Sequence, residues 1–105
     1  MTEVSERTDL MAETMSYKGH PVVRDGNKVY YGEPYNPYIV VLIILETKQV
    51  GENKLPTRIL VQLQSTDPAL AMSSDKIKKE SERKNLFDAF EVGYVWLDKL
   101  SEGNK

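Results

Sequence analysis

The stretch that decides the fold is "PYIVVLIILETKQV", residues 37–50. Its residues 38–45 are all apolar or aromatic, and the run ends at Glu46 and Lys48. A membrane helix needs about 20 apolar residues, so this run is too short to span a bilayer. We predict a central β-strand that is apolar on both faces, because successive side chains of a strand point to opposite sides.

A hairpin is predicted on the N-terminal side of this strand. Two short β-prone runs, residues 22–24 and 28–31, flank the sequence Asp25-Gly26-Asn27. Glycine and asparagine adopt positive φ at low cost, as tight hairpin turns require. The following "GEPYNP", residues 32–37, contains two prolines and a glycine and predicts a stiff connection without ladder pairing.

The fourth predicted strand is "TRILVQLQS", residues 57–65, after a turn at Gly51 and Asn53. Its residues alternate, with Ile59, Val61 and Leu63 on one side and Leu60, Gln62 and Gln64 on the other. Such a strand is half polar. It therefore predicts a sheet face that differs from the fully apolar faces of the preceding strand.

Helical patterns fill the rest of the chain. Asp67 before Pro68 predicts the N-cap of one short turn. Residues 75–84, "DKIKKESERK", carry i,i+4 pairs of opposite charge and one apolar residue, which predicts a solvated helix capped by Ser73, Ser74 or Asp75. Asn85 can act as the N-cap of a second helix. Beyond it, an apolar stripe predicts a helix that packs on the sheet. The stripe is formed by Leu86, Phe90, Gly93, Leu97 and Leu100, and it is widened by Phe87, Tyr94 and Trp96.

The predicted fold class is α+β. We expect a four-stranded antiparallel meander (ββββ) followed by a C-terminal helix, or broken helix, packed on one sheet face. A chain of 105 residues fits one domain. We assign residues 17–105 to that domain and residues 1–16 to a flexible or loosely helical N-terminal extension.

One helix covers only one face of a sheet, so the second apolar face predicts self-association. The extension and the polar helix have few apolar residues to offer, whereas a second copy supplies a matching surface in a symmetric dimer. The predicted interface contains one face of the central strand, together with helix residues outside the main stripe. Its residues are Val40, Leu42, Ile44, Val92 and Val95.

Composition excludes several classes of protein. The chain has no cysteine, so disulfides and thiol nucleophiles are excluded, which fits a reducing compartment. Its formal net charge is −2, so the chain has no extended positive electrostatic potential that would attract nucleic acid. The acidic N-terminus has no apolar signal region. We therefore expect a cytoplasmic protein that binds neither membrane nor, in general, nucleic acid.

No catalytic motif is present. His20 is the only histidine, and the local sequence specifies neither an orienting carboxylate nor a nucleophile beside it. The six glycines match no phosphate-binding loop, and no metal-ligand spacing occurs. We therefore predict no catalytic residue, no cofactor and no metal site, and the balance favours a protein that is not an enzyme.

A ligand-binding surface is the remaining chemical candidate. Tyrosines on a stiff loop can stack on a base, sugar or proline, although the same residues can simply cover a sheet edge or a dimer seam. Glutamines on a sheet face can line a pocket or form the rim of an interface. The candidate ligand residues are His20, Tyr30, Tyr31, Tyr35, Gln62 and Gln64.

Three hypotheses follow. The first is a self-associating interaction or regulatory module without catalytic activity. The second is a small-molecule-binding domain or minor enzyme that uses the tyrosine-rich loop and the polar sheet face. The third is an RNA-contacting module that uses Tyr30, Tyr31, Lys28 and the basic residues of the segment 75–84.

Overall fold

A computed structural model describes residues 15–103. These residues form a six-stranded antiparallel sheet in sequential order and a C-terminal helix. The strands are β1 (Ser16–Tyr17), β2 (His20–Asp25), β3 (Lys28–Tyr31), β4 (Tyr38–Val50), β5 (Asn53–Ser65) and β6 (Ile77–Arg83), and the helix is α1 (Leu86–Gly103). The α+β class, the antiparallel sheet and the C-terminal helix are thus confirmed, whereas the predicted number of four strands is wrong.

The strand β6 replaces the solvated helix predicted over residues 75–84. It pairs antiparallel with residues 59–64 of β5, whose backbone groups would otherwise lack partners on that side. Charged residues suit an edge strand because they discourage pairing with another chain. The cross-strand partners of β6 therefore outweigh the weak i,i+4 charge pairs that favoured a helix.

Both predicted hairpin turns are confirmed. Asp25 pairs with Lys28 around a turn in which Gly26 has a φ of 63°. Val50 pairs with Asn53 around a second turn, in which Gly51 has a φ of 60°. Positive φ at these positions suits glycine, which has no Cβ to clash with the backbone.

The hairpin of β4 and β5 is longer than its neighbours. Each strand has 13 residues, but β3 pairs only with residues 40–43 of β4, and β6 only with residues 59–64 of β5. The distal part, residues 46–58, is therefore a two-stranded ribbon. Pro56 lies in this ribbon beside a register shift, where the missing N–H of proline is tolerated.

Asp67 and Asn85 cap the elements predicted for them, whereas Ser73 caps a 3-10 turn in place of the predicted solvated helix. Asp67 accepts a hydrogen bond from the Ala69 N–H and caps the 3-10 turn Pro68–Leu70. Ser73 caps a second 3-10 turn, Ser74–Lys76, which ends where β6 begins. Asn85 caps α1, since its Oδ1 accepts from the Asp88 N–H at 2.8 Å.

The helix packs on the side of the sheet that carries Val40. A Cβ built on Gly93 would lie 2.9 Å from Val40 Cγ1 and 3.2 Å from Tyr31 Cδ2. The missing side chain of Gly93 therefore lets α1 lie close to its own sheet, and not to another copy. Phe87, predicted within the buried stripe, is 66% exposed.

The core lies between α1 and this face of the sheet. Its buried side chains are Val22, Val29, Tyr31, Val40, Leu42, Ile44, Ile59, Val61, Leu63, Ala89 and Leu97. The predicted N-terminal extension falls almost wholly outside the described residues, except that Ser16 pairs with Pro21 in the first hairpin.

Candidate functional site

The sheet face opposite α1 is the first candidate surface, and we call it the open face. The pairing registers place three rows of side chains across it. The central row contains Val23, Tyr30, Val41, Gln62 and Glu80, and the flanking rows contain Lys28, Ile43, Leu60 and Glu82 on one side and Ile39 and Gln64 on the other.

The open face is apolar at its middle. Val41 is 2% exposed, Ile39 and Ile43 beside it are half-buried, and Val23 at the margin is 46% exposed. Leu60 and Tyr30 are also half-buried. A contiguous apolar surface with an exposed margin is characteristic of an interaction site.

A hydrogen-bonded row of polar side chains crosses this apolar surface. Gln64 Nε2 donates to Gln62 Oε1 at 2.8 Å, and Gln62 Nε2 donates to Glu80 Oε2 at 2.7 Å. Gln62 is only 6% exposed, so both ends of its amide have partners where water is largely excluded. Burial of a paired amide avoids the penalty of an unsatisfied polar group. The row can therefore lie within an interface without loss of hydrogen bonds.

Charged side chains lie at both margins of the open face. On the β6 side, Arg58 Nε donates to Glu82 Oε2 at 2.7 Å, and Arg58 Nη1 lies 3.3 Å from Glu46. The hydrogen bond to Glu82 raises the pKa of the Arg58 guanidinium. Lys28 lies on the β3 side. Asp25 is the cross-strand partner of Lys28, and Arg58 is bonded to Glu82, so each margin of the face carries charges of both signs.

A second cluster surrounds His20, at the end of the β2–β3 hairpin. His20 Nδ1 lies 3.0 and 3.1 Å from the two carboxylate oxygens of Glu33, and Asn36 Nδ2 donates to Glu33 Oε1 at 3.2 Å. The His20 ring contacts Tyr31 edge-on, with centroids 5.7 Å apart. Glu33 therefore fixes the orientation of the imidazole and favours a proton on Nδ1, which leaves Nε2 as the atom that a ligand would meet.

The sequence analysis did not identify Glu33 as the carboxylate that orients His20, although the register of the hairpin predicts this contact. The turn at Gly26 fixes the register of β2 and β3, and Val22 pairs with Tyr31. The same register continued by two residues brings His20 opposite Glu33. When a two-residue turn fixes the register of a hairpin, cross-strand contacts beyond the ends of the two strands can be predicted by counting residues outwards from the turn.

A third cluster joins β1 to α1. The Tyr17 hydroxyl donates to a Glu91 oxygen, and Lys18 Nζ lies 3.0 Å from the same carboxylate. Lys18 Nζ also lies 4.6 Å from the centroid of the Tyr94 ring. Hydrogen bonds from Tyr17 and Lys18 lower the pKa of Glu91, and the bond to Glu91 raises the pKa of both donors.

The structure divides the six predicted ligand residues among three places. His20 and Tyr31 lie together on the helix side, Tyr30, Gln62 and Gln64 lie on the open face, and Tyr35 is 84% exposed on the loop. Tyr31 is fully buried, and burial raises the pKa of its hydroxyl. These residues therefore do not form one pocket, and Tyr31 cannot stack on a nucleic acid base.

The predicted interface residues are also divided. Val40, Leu42 and Ile44 are at most 6% exposed and lie beneath α1, so they are not accessible to a second copy. Side chains alternate along β4, so its partly accessible apolar side chains are Ile39 and Ile43, and Val41 between them is only 2% exposed. Val92 packs partly against the core, and together with Val95 it lines a shallow groove between α1 and β6 that also contains Arg83, Glu91 and Trp96.

No protein-family model, curated protein or solved structure matches this chain. Within residues 15–103, no three His, Cys, Asp or Glu side chains are grouped as metal ligands. The only helix described there is too polar or too short to cross a membrane.

Proposed function

We propose that the protein is a self-associating interaction module and that the open face binds a second copy of the same chain. The observation that carries this proposal is the continuous apolar surface of β4 opposite α1, where Val41 is flanked by half-buried Ile39 and Ile43. Complete burial of an aliphatic side chain contributes roughly 1.5 to 3 kcal/mol. Ile39, Ile43 and Leu60 are already half-buried within one chain, so each contributes only part of this value, and association requires several such side chains together.

The arrangement that we propose for the two copies is a two-fold symmetric one. A two-fold axis along β4 brings the β3 side of one sheet over the β5 and β6 side of the other. The two β4 strands then face each other. Lys28 of one copy approaches Glu82 of the second, but Asp25 lies beside Lys28 and Arg58 is bonded to Glu82, so the contact depends on apolar side chains and not on charge. Both ends of the Gln62 amide are already hydrogen bonded, so burial of Gln62 leaves no polar group unpaired, whereas the exposed Glu80 carboxylate must stay at the hydrated rim of the contact.

A charged substitution on each candidate surface tests the proposal. We expect Ile43→Lys to shift sedimentation equilibrium of the full chain from a dimer to the 12.0 kDa monomer, because the new ammonium would be buried in the interface. Val95→Lys is the matched control, since Val95 is 46% exposed on the outer side of α1, and it should leave the dimer intact. Loss of the dimer in the Val95 variant alone would assign the interface to the helix. A wild-type chain that remains monomeric would exclude self-association.

A second candidate function is small-molecule binding at His20. It is favoured by the contact with Glu33, which orients the imidazole at 3.0 Å and directs Nε2 towards a ligand. A metabolite screen by thermal shift should then yield a stabilising compound. The shift should disappear in His20→Gln, whereas Tyr35→Phe, a change on the exposed loop, should retain it. A screen without a stabilising compound, or a shift that survives in His20→Gln, would argue against this site.

A further inference from the structure

The first hairpin of the sheet has a minimal backbone attachment. Within the described residues, β1 pairs Ser16 with Pro21 and Tyr17 with His20, and one further backbone hydrogen bond joins Met15 to Val22. The connecting turn places Lys18 at φ 49° and Gly19 at φ 85°, and the left-handed conformation is unfavourable for a lysine. Backbone pairing alone therefore holds β1 weakly.

Side-chain contacts with α1 and β3 supply the attachment instead. Glu91 accepts hydrogen bonds from Tyr17 and Lys18, and the Tyr17 ring lies 5.0 Å from the Phe90 ring, centroid to centroid. The Tyr31 hydroxyl donates to the Tyr17 carbonyl oxygen at 3.0 Å. The side chains of Lys18 and Glu91 are 44% and 33% exposed, so water competes for their ion pair.

This attachment covers a specific part of the sheet edge. The Val22 N–H donates to the Met15 carbonyl oxygen at 3.1 Å, and Val22 is 5% exposed. Met15, Ser16, Tyr17, Val22 and Phe90 line a groove at this edge. Departure of β1 would leave the Val22 N–H unpaired beside apolar side chains. An exposed strand edge of this kind can pair with a strand of another chain.

We propose that β1 is a detachable clasp, held by the contacts of Glu91, Tyr17 and Lys18, whose release uncovers the β2 edge while the rest of the sheet stays folded. A strained turn, a two-residue ladder and a solvent-accessible ion pair meet in this one element. Elements of this kind open at a lower free energy than the core. The clasp lies at the edge of the sheet, so it operates independently of self-association through the open face.

Amide hydrogen exchange of the full chain, measured by NMR, tests the clasp. We expect the Val22 amide to be protected about 100-fold less than the Leu42 amide of the central strand. Its exchange should also be insensitive to low concentrations of denaturant, because opening of the clasp exposes little surface. Equal protection and equal denaturant dependence of the two amides would overturn the proposal, since both would then exchange only through global unfolding.

A pair of isosteric variants tests the role of Glu91. In Glu91→Gln the Val22 amide should exchange about three- to tenfold faster, because charge-assisted hydrogen bonds to β1 are weakened. Asp98→Asn removes a carboxylate from an exposed position of the same helix and should change the rate by less than about twofold. Unchanged Val22 exchange in Glu91→Gln, or an equal effect in both variants, would contradict the assignment of Glu91 as the anchor.

Discussion

The two faces of β4 have nearly the same composition but different surroundings. Val40, Leu42 and Ile44 are buried beneath α1, whereas Ile39, Val41 and Ile43 lie on the open face. All six are aliphatic, so hydrophobicity alone does not distinguish them. The difference lies in what covers each face. α1 supplies a fitted cover to one face, and self-association is our proposal for the other.

The faces also differ in shape and polarity. The helix-covered face is interdigitated, since Gly93 fits against Val40 and the fully buried Tyr31. The open face carries the polar row of Gln64, Gln62 and Glu80 among its aliphatic side chains. Close interdigitation fixes a unique packing, whereas an apolar surface with satisfied polar groups suits reversible contact with a partner.

Truncation of a residue on each face should give the largest contrast. Leu42→Ala should lower the free energy of unfolding by about 2 to 5 kcal/mol, because Leu42 is fully buried and a cavity remains. Ile43→Ala, on the half-buried open face, should cost about 1 kcal/mol in the dilute monomer. Urea denaturation at low protein concentration measures both values. Similar losses would show that the two faces are equally covered within one chain.

Addition of a methyl group at Gly93 tests the close packing of the covered face. Gly93→Ala should destabilise the protein by about 1 to 3 kcal/mol, because the new Cβ would lie 2.9 Å from Val40 Cγ1. This loss should exceed the gain of about 1 kcal/mol in helix propensity. The control is Lys99→Ala at an exposed helix position, which should be nearly neutral in the same urea titration. A stabilised Gly93→Ala variant would show that α1 does not lie this close to the sheet.

Loss of the helix cap should weaken the covered face by a smaller amount. Asn85→Ala removes the acceptor of the Asp88 N–H and should cost about 1 kcal/mol, measured by thermal denaturation. Asn85→Asp retains a capping oxygen and should keep most of the stability. Equal losses in the two variants would indicate that Asn85 contributes through something other than its cap.

Acid should produce the smallest effect, through Glu91 at the edge of the covered face. Hydrogen bonds from Tyr17 and Lys18 lower the pKa of Glu91 in the folded state. Its contribution to stability is therefore fully present above the ordinary carboxyl pKa of about 4.3 and is lost as the pH falls through the lower folded value. The stability difference between wild type and Glu91→Gln should shrink as the pH falls from neutral towards 3. A stability difference between the two proteins that does not change with pH would contradict the lowered pKa of Glu91.

Local sequence signals predicted much of the chain because they depend on neighbouring residues. Gly26 and Gly51 marked turns that need positive φ, and Asn85 marked the start of α1. Which set of residues on β4 would lie beneath the helix was not predictable, since both sets are aliphatic and the sequence does not specify the face on which α1 packs.

β6 was predicted as a helix because its opposite charges recur at i,i+4, but the same residues also alternate with period two. Glu80 and Glu82 lie on the open face, and Lys79, Ser81 and Arg83 pair opposite core residues of β5. Charge alternation of this kind is a strand signal that competes with the helical one. Only the pairing with β5, a contact distant in sequence, decides between them.

Chemical shifts measured over a dilution series of the wild-type chain test the central claim most directly. Binding of a second copy to the open face predicts concentration-dependent shifts at the amides of Tyr30, Ile43 and Leu60, with little change at Val92 and Val95. Spectra that do not change with concentration, or changes confined to the outer side of α1, would contradict the account.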